Sequence, residues 1–167
     1  MSKQELVAET PVPAVDHGIS IQKKPIEAAS VLNKAYDYPR PSSFSRGMRL
    51  DINGVTILLI SGTASIDENG NSVHIGDFRS QVLRTYWNIT GLLASEGATW
   101  KDIVRTSCYL RDIERDYAEF NEIRTQFFKE LGLDFPPAST GIQAILCRPE
   151  LLIEIEAIAI FPTNRKA

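Results

Sequence analysis

From Leu152 to Ile160 the chain alternates without a break. Leu152, Glu154, Glu156, Ile158 and Ile160 fall on one side, and Ile153, Ile155, Ala157 and Ala159 on the other. Successive side chains of a strand point to opposite faces, so this segment predicts a strand with two different surroundings. The small and branched set suits a layer of helices. The other set joins two isoleucines to two carboxylates, which is too apolar to leave in water and too charged to bury unpaired. A sheet with helices on one face and a further copy of the chain on the other satisfies both sets.

The rest of the sequence supplies that sheet and those helices. Met48 to Ile52 and Val55 to Ser61 are apolar runs joined by Asn53-Gly54, the pair that favours a two-residue hairpin. Asp77 can cap a helix with Phe78, Val82, Ile89 and Leu93 at helical spacing, and Gly97 offers its stop. Ile103 to Leu110 reads as a strand with Val104, Thr106, Cys108 and Leu110 on one face. Tyr117 to Leu131 reads as a helix with Phe120, Ile123, Phe127 and Leu131 in a stripe, closed by Gly132 and Pro136-Pro137. Ser139 to Cys147 and Leu151 to Phe161 read as two long strands around Arg148-Pro149-Glu150.

The order is ββαβαββ, an α+β domain over residues 41–163 with two helices on one face of a single mixed sheet. Residues 1–40 carry Pro11, Pro13, Pro25 and Pro39 and no sustained period. They read as an arm, either flexible or packed on the domain or a neighbour through Tyr36 and Tyr38. Residues 164–167 form a tail.

A tight last hairpin pairing Arg148 with Ile153 would set Cys147 opposite Glu154 and Ile145 opposite Glu156, with Gln143 on the same face. A carboxylate beside a thiol and an amide can position water or move a proton. The same pattern also allows Glu154 to be a carboxylate paired across a subunit contact. It allows Cys147 to be a wall residue, since neither His17 nor His74 has a place beside it to generate thiolate.

Charge and composition narrow the partners. The formal charge of -3 and the absence of a Lys/Arg cluster give no footprint for a phosphate backbone, so nucleic acid is not an expected partner. No stretch approaches the roughly 18 apolar residues of a membrane span, which reads as a soluble, cytoplasmic protein. Two cysteines in apolar runs do not make a disulfide framework, and two distant histidines lack metal-ligand spacing, so neither metal nor cofactor is expected.

Several short segments together resemble a known family. They are Ser61-Gly62-Thr63-Ala64, Gly76-Asp77 with Gln81 and Asn88, Phe120-Asn121, Pro137, and Ile153-Glu154-Ile155-Glu156-Ala157. Over about Phe44 to Phe161 the chain is similar to the YjgF/Rid proteins, also described as the endoribonuclease L-PSP or translation-inhibitor group. The resemblance implies a chorismate-mutase-like fold and a homotrimer with one site in each cleft between subunits. For deaminase members it implies hydrolysis of small reactive enamines and imines to ammonia and a keto acid. Carried onto this sequence, it makes Glu154 the residue that orients the attacking water and Ser61-Gly62 the substrate-contacting loop. Asn88 matches a position that lines or supports the cleft.

Two matches fail. Where the deaminases place an arginine that grips the substrate carboxylate, this chain has Ala138, and a tyrosine near the substrate is replaced by Phe44. Losing the clamp removes charge-assisted hydrogen bonds of about 1.5 to 3 kcal/mol each. Arg148, at the hairpin turn, lies too far along the strand from Ala138 to take the same subsite. It could serve a differently placed anion, including one in a neighbour's cleft.

The segment Cys147 to Glu156, with Ser43-Phe44-Ser45-Arg46-Gly47 as a weaker echo, also resembles the chorismatases. That likeness implies a second reading: hydrolysis of a chorismate-type substrate by Glu154, with Cys147 nearby and Arg148 or Arg46 meeting a carboxylate. Chorismatases carry a large additional N-terminal region, whereas about 40 residues precede the domain here. A third reading is a metabolite-binding or chaperone-like trimer without turnover. In every reading the ligand is a small molecule.

Overall fold

The computed structural model of the protein describes residues 18–39 and 41–164. Eight regular elements follow one another: β1 (Ile21–Pro25), β2 (Gly47–Ile52), β3 (Val55–Ala64), α1 (Phe78–Ser95), β4 (Ile103–Leu110), α2 (Ile113–Glu130), β5 (Ala138–Gln143) and β6 (Ile153–Pro162). The strands form one six-stranded sheet in the order β1-β2-β3-β6-β4-β5. All neighbours are antiparallel except β4 and β5, which run parallel across the α2 connection.

The β2–β3 hairpin forms at Asn53-Gly54 as the sequence implies. Both residues have positive φ, 47° and 86°, and Ile52 pairs with Val55 across the two-residue turn. The Asp77 side chain accepts the Ser80 N–H and starts α1, and Gly97, with φ 72°, follows its end. Phe78, Val82, Ile89 and Leu93 of α1 and Phe120 and Ile123 of α2 pack on Ile153, Ile155, Ala157 and Ala159 of β6, all within one buried core. The alternation of the last strand therefore sorts as read, with the small and branched set under the helices.

The last hairpin does not form. β6 inserts between β3 and β4, and β5 lies at the sheet edge beside β4. A strand–helix–strand passage returning parallel on the far side of β4 leaves the centre of the sheet open to β6, and period-two alternation carries no information about which neighbour a strand selects. β5 ends at Gln143, and residues 144–152 form a loop, so Cys147 is exposed rather than within a strand. Gln143 does not join the carboxylate face: its Oε1 accepts the Ile113 N–H at the start of α2.

Three smaller corrections follow. α2 begins at Ile113, one turn earlier than its apolar stripe suggests, because the Asp112 side chain accepts the Arg115 N–H. A register irregularity between Ile103 and Arg105 turns Val104 outward, while Thr106, Cys108 and Leu110 stay buried. In the N-terminal region, Ile21–Pro25 adds β1 to the edge of the sheet, making the order βββαβαββ. Ile26, Ala28, Leu32, Ala35 and Tyr38 are buried on the domain. Residues 1–17 of the arm and 165–167 of the tail lie outside the described residues.

Candidate active site

The site begins with an irregularity in β3. Its pairing with β6 shifts between Ile60 and Thr63, so Ser61 and Gly62 leave the ladder beside Glu154, which pairs with Ala64 on one side and Tyr109 on the other. Bulges of this kind re-aim side chains at functional sites. The Ser61 hydroxyl is used internally, donating to the Ser45 carbonyl at 2.8 Å, while the Ser61 N–H donates to the Arg46 carbonyl at 3.1 Å. The bulge is thereby stitched to the segment leading into β2.

Gly62 explains how Glu154 sits. A Cβ built on Gly62 would lie 1.9 Å from Glu154 Oε1, so only the bare backbone admits the carboxylate there. Glu154 is half-buried. Burial first, then the negative charge of Glu156, push its pKa above the usual glutamate value. Glu156 accepts a hydrogen bond from the Tyr109 hydroxyl at 3.1 Å.

The loop 144–152 supplies the opposite wall, and buried and half-buried polar side chains fix it. Arg111 donates from Nε to the Leu151 carbonyl and from Nη2 to the Arg148 carbonyl, both at 2.6 Å. Gln81, fully buried, donates to the Glu150 carbonyl at 2.9 Å and accepts the Leu152 N–H at 2.8 Å. Arg148 in turn donates from Nη1 to the Gly70 carbonyl at 2.6 Å and to Ser72 Oγ at 3.2 Å.

Between these walls lies a cavity of about 350 Å³. Ser61, Gly62, Cys147, Arg148 and Glu154 line it, and Phe44, Arg46 and Tyr38 close it from the N-terminal side. Its size is that of a small-ligand pocket. Six of the seven residues expected at the site thus meet around one hollow. Asn88 does not line it: fully buried on α1, it donates to the carbonyls of Ala64 and Ile66, both at 3.0 Å, and so holds the end of β3 in place.

Cys147 faces the cavity from the loop and not from a strand opposite Glu154. Its thiol pKa is raised, by burial first and by the Glu154 charge second, which disfavours a resting thiolate. Among the described residues, no three histidine, cysteine or acidic side chains converge as they would around a metal ion.

Tyr38, Arg111 and Gln81 take part without having been singled out as site residues, and Arg46 only as one possible partner of a carboxylate. The aromatic pair in the arm was the signal for Tyr38. Arg111 and Gln81 work through backbone carbonyls of a loop whose path no periodicity encodes.

The sheet topology, the two helices and the recessed carboxylate beside a bulge define an α+β domain of the YjgF/Rid kind. The chain belongs to the endoribonuclease L-PSP family, whose model matches residues 40–161. It is 33% identical over 103 residues to the 3-aminoacrylate deaminase RutC of Acinetobacter baylyi, an overlap of 62% of this chain and 78% of that protein. It is 31% identical over 102 residues to a RutC family protein of Pyrococcus abyssi, covering 61% and 76% of the two chains. Among solved structures, a Rid-family protein of unknown function from Yersinia pestis superposes with a TM-score of 0.66 at 27% identity, over 83% of this chain and 98% of that one. The YjgF gene product of E. coli gives 0.64 at 25% identity, over 82% and 98%.

Proposed function

We propose that the protein is a Rid-type hydrolase that deaminates a small enamine or imine, with Glu154 positioning and deprotonating the attacking water. The observation that carries this reading is the half-buried Glu154 carboxylate, seated against the bare backbone of Gly62 in a cavity of ligand size. The kinship with a 3-aminoacrylate deaminase supports the same chemistry.

An enamine first tautomerises to its imine. Water then adds to the imine carbon, its oxygen forming the new C–O bond as the C=N π pair moves to nitrogen and Glu154 takes the water proton. The same carboxyl returns that proton to the amino nitrogen. The C–N bond then breaks as Glu154 carries the remaining hydroxyl proton to the same nitrogen, so that the nitrogen leaves as ammonia and the carbonyl forms. A carboxylate whose pKa is raised toward neutrality is better matched to both transfers than an ordinary glutamate. The apolar strip beside Glu156 on the open sheet face serves, in this proposal, as the contact between copies of a homotrimer.

The test is the rate of ammonia release from freshly generated 2-iminobutyrate and 2-aminoacrylate by the wild-type protein and by Glu154→Ala at equal concentration. Acceleration that disappears in the variant is the expected result. No acceleration by the wild type sinks the reading. The presence of Cys147, Arg148 and Arg46 in the cavity favours a second reading, hydrolysis of a chorismate-type carboxylate by Glu154, and chorismate consumption under the same conditions tests it.

A further inference from the structure

Arg46 is only 6% exposed, yet no carboxylate among the described residues lies within ion-pair distance of it. A buried guanidinium without a counter-charge is costly, and proteins retain one where something else supplies the charge. The side chain is also held still. Nε donates to the Asn33 carbonyl at 3.2 Å, and Nη2 donates to the Tyr38 hydroxyl. Its guanidinium carbon stands 4.9 Å from the centre of the Tyr38 ring and 5.2 Å from that of Phe44. Aromatic faces on a planar cation fix its plane without neutralising it.

Arg148 lines the same cavity and is near enough for its charge to act on Arg46. Glu154 lines the same hollow, and Cys147 in its wall feels the charges of both Glu154 and Arg148, so one ligand-sized cavity holds a cationic side and a carboxylate. On β5, Ala138 offers no cation, and its β4 partner Arg105 lines a different hollow with Glu156 and donates to Thr140 Oγ1 at 3.1 Å.

We propose that Arg46, steadied by Tyr38 and Phe44 and assisted by Arg148, is the carboxylate-binding group of this cavity, so that its ligand is a carboxylate held at the β2 end with its reacting carbon toward Glu154. The substrate class is a 2-imino or otherwise unsaturated carboxylic acid. The imino or unsaturated character of the substrate and the placing of its reacting carbon rest on the function proposed above; the carboxylate anchor does not. The N-terminal segment then completes the site: Tyr38 contributes a hydroxyl where Phe44 has none, and Arg46 a cation where Ala138 has none.

The test uses the full chain and a non-reacting probe, 2-oxobutyrate, with its uncharged amide as control, in titration calorimetry. Wild type is expected to bind the acid at least tenfold more tightly than the amide. Arg46→Gln is expected to weaken acid binding by about tenfold to a hundredfold with no change toward the amide. Tyr38→Phe weakens it several-fold, and Arg105→Gln leaves it unchanged. Because Arg46 is buried, Arg46→Lys is measured alongside. It keeps the charge without the planar fork and is expected to fall between wild type and Arg46→Gln. The acid-against-amide preference of the wild type requires no variant.

Equal affinity for acid and amide, no binding of the acid, wild-type binding by Arg46→Gln, or loss of binding in Arg105→Gln would each overturn the assignment. Acid binding that depends on Arg46, without ammonia release from any imine, would refute the deaminase reading and leave the anchor standing. Ammonia release with an unchanged KM in Arg46→Gln would do the reverse.

Discussion

Position 62 shows how little separates a working carboxylate from a displaced one. Gly62 has no positive φ to protect, so alanine fits the backbone there, and the atoms nearest its Cβ belong to the Glu154 side chain, the carboxyl oxygen first. Gly62→Ala is therefore expected to fold with unchanged stability while lowering turnover by about a hundredfold, the scale of a misplacement near 1 Å. Thermal unfolding and steady-state kinetics on one preparation check both halves, and a variant with normal kcat removes Gly62 from the site. Glu154 itself carries a stability signature. A carboxyl whose folded pKa is raised binds its proton more tightly in the native state, so native stability is fullest below the ordinary glutamate range and declines as pH rises through the interval up to the raised value. Glu154→Gln removes that penalty. It should unfold at a higher temperature than wild type at pH 7, with the gap closing toward about pH 4. A gap independent of pH would mean that Glu154 ionises as freely in the fold as in water.

Among the elements, the helix signals and the first hairpin were legible because they are local. A cap, a stripe and an Asn-Gly turn each need only a few neighbouring residues, and Asp77, Phe78 to Leu93 and Asn53-Gly54 all act as their spacing implies. The final pairing was not legible. β5 and β6 adjoin in sequence but are separated in the sheet by β4. Cys147 thus reaches the cavity through a loop held by Arg111 and Gln81, although a hairpin had placed it near the same carboxylate. Packing of the N-terminal segment through Tyr38 was one of the readings left open, but the strand β1 was not legible, for a similar reason: it draws its partners from a hairpin some twenty residues further along the chain. What holds that segment is its fit against α1. A Cβ on Gly91 would lie 2.3 Å from Val31 Cγ2. Glycine to alanine inside a helix ordinarily stabilises by up to about 1 kcal/mol, but overpacking costs about 1 to 3 kcal/mol. Gly91→Ala should lose about 1 kcal/mol in urea denaturation and speed amide exchange in residues 26–32. A net gain in stability would show that Val31 yields freely.

At the scale of the whole molecule, the sheet has one face under two helices and one face left uncovered by the described residues. On the bare face Leu59 pairs with Ile158 and Ile57 with Ile160, and Leu59 and Ile160 are each 41% exposed, beside Glu156 and its Tyr109 hydrogen bond. An apolar strip of this kind, bordered by charges, marks a contact surface more readily than a wetted one. Association through it would leave the mouth of the cavity, lower on β6 at Glu154, next to a neighbouring copy, so assembly and catalysis should fail together. Sedimentation velocity at micromolar concentration is expected to give a multiple of the 18.6 kDa single-chain mass, three under the trimer proposed here. Ile160→Lys places an ammonium in the strip away from Glu154 and should reduce the mass to one chain while circular dichroism is preserved. If that monomer keeps full ammonia release, the cavity is complete within one chain and the assembly serves another end. If the wild type itself sediments as a single chain, the open face is not a subunit contact.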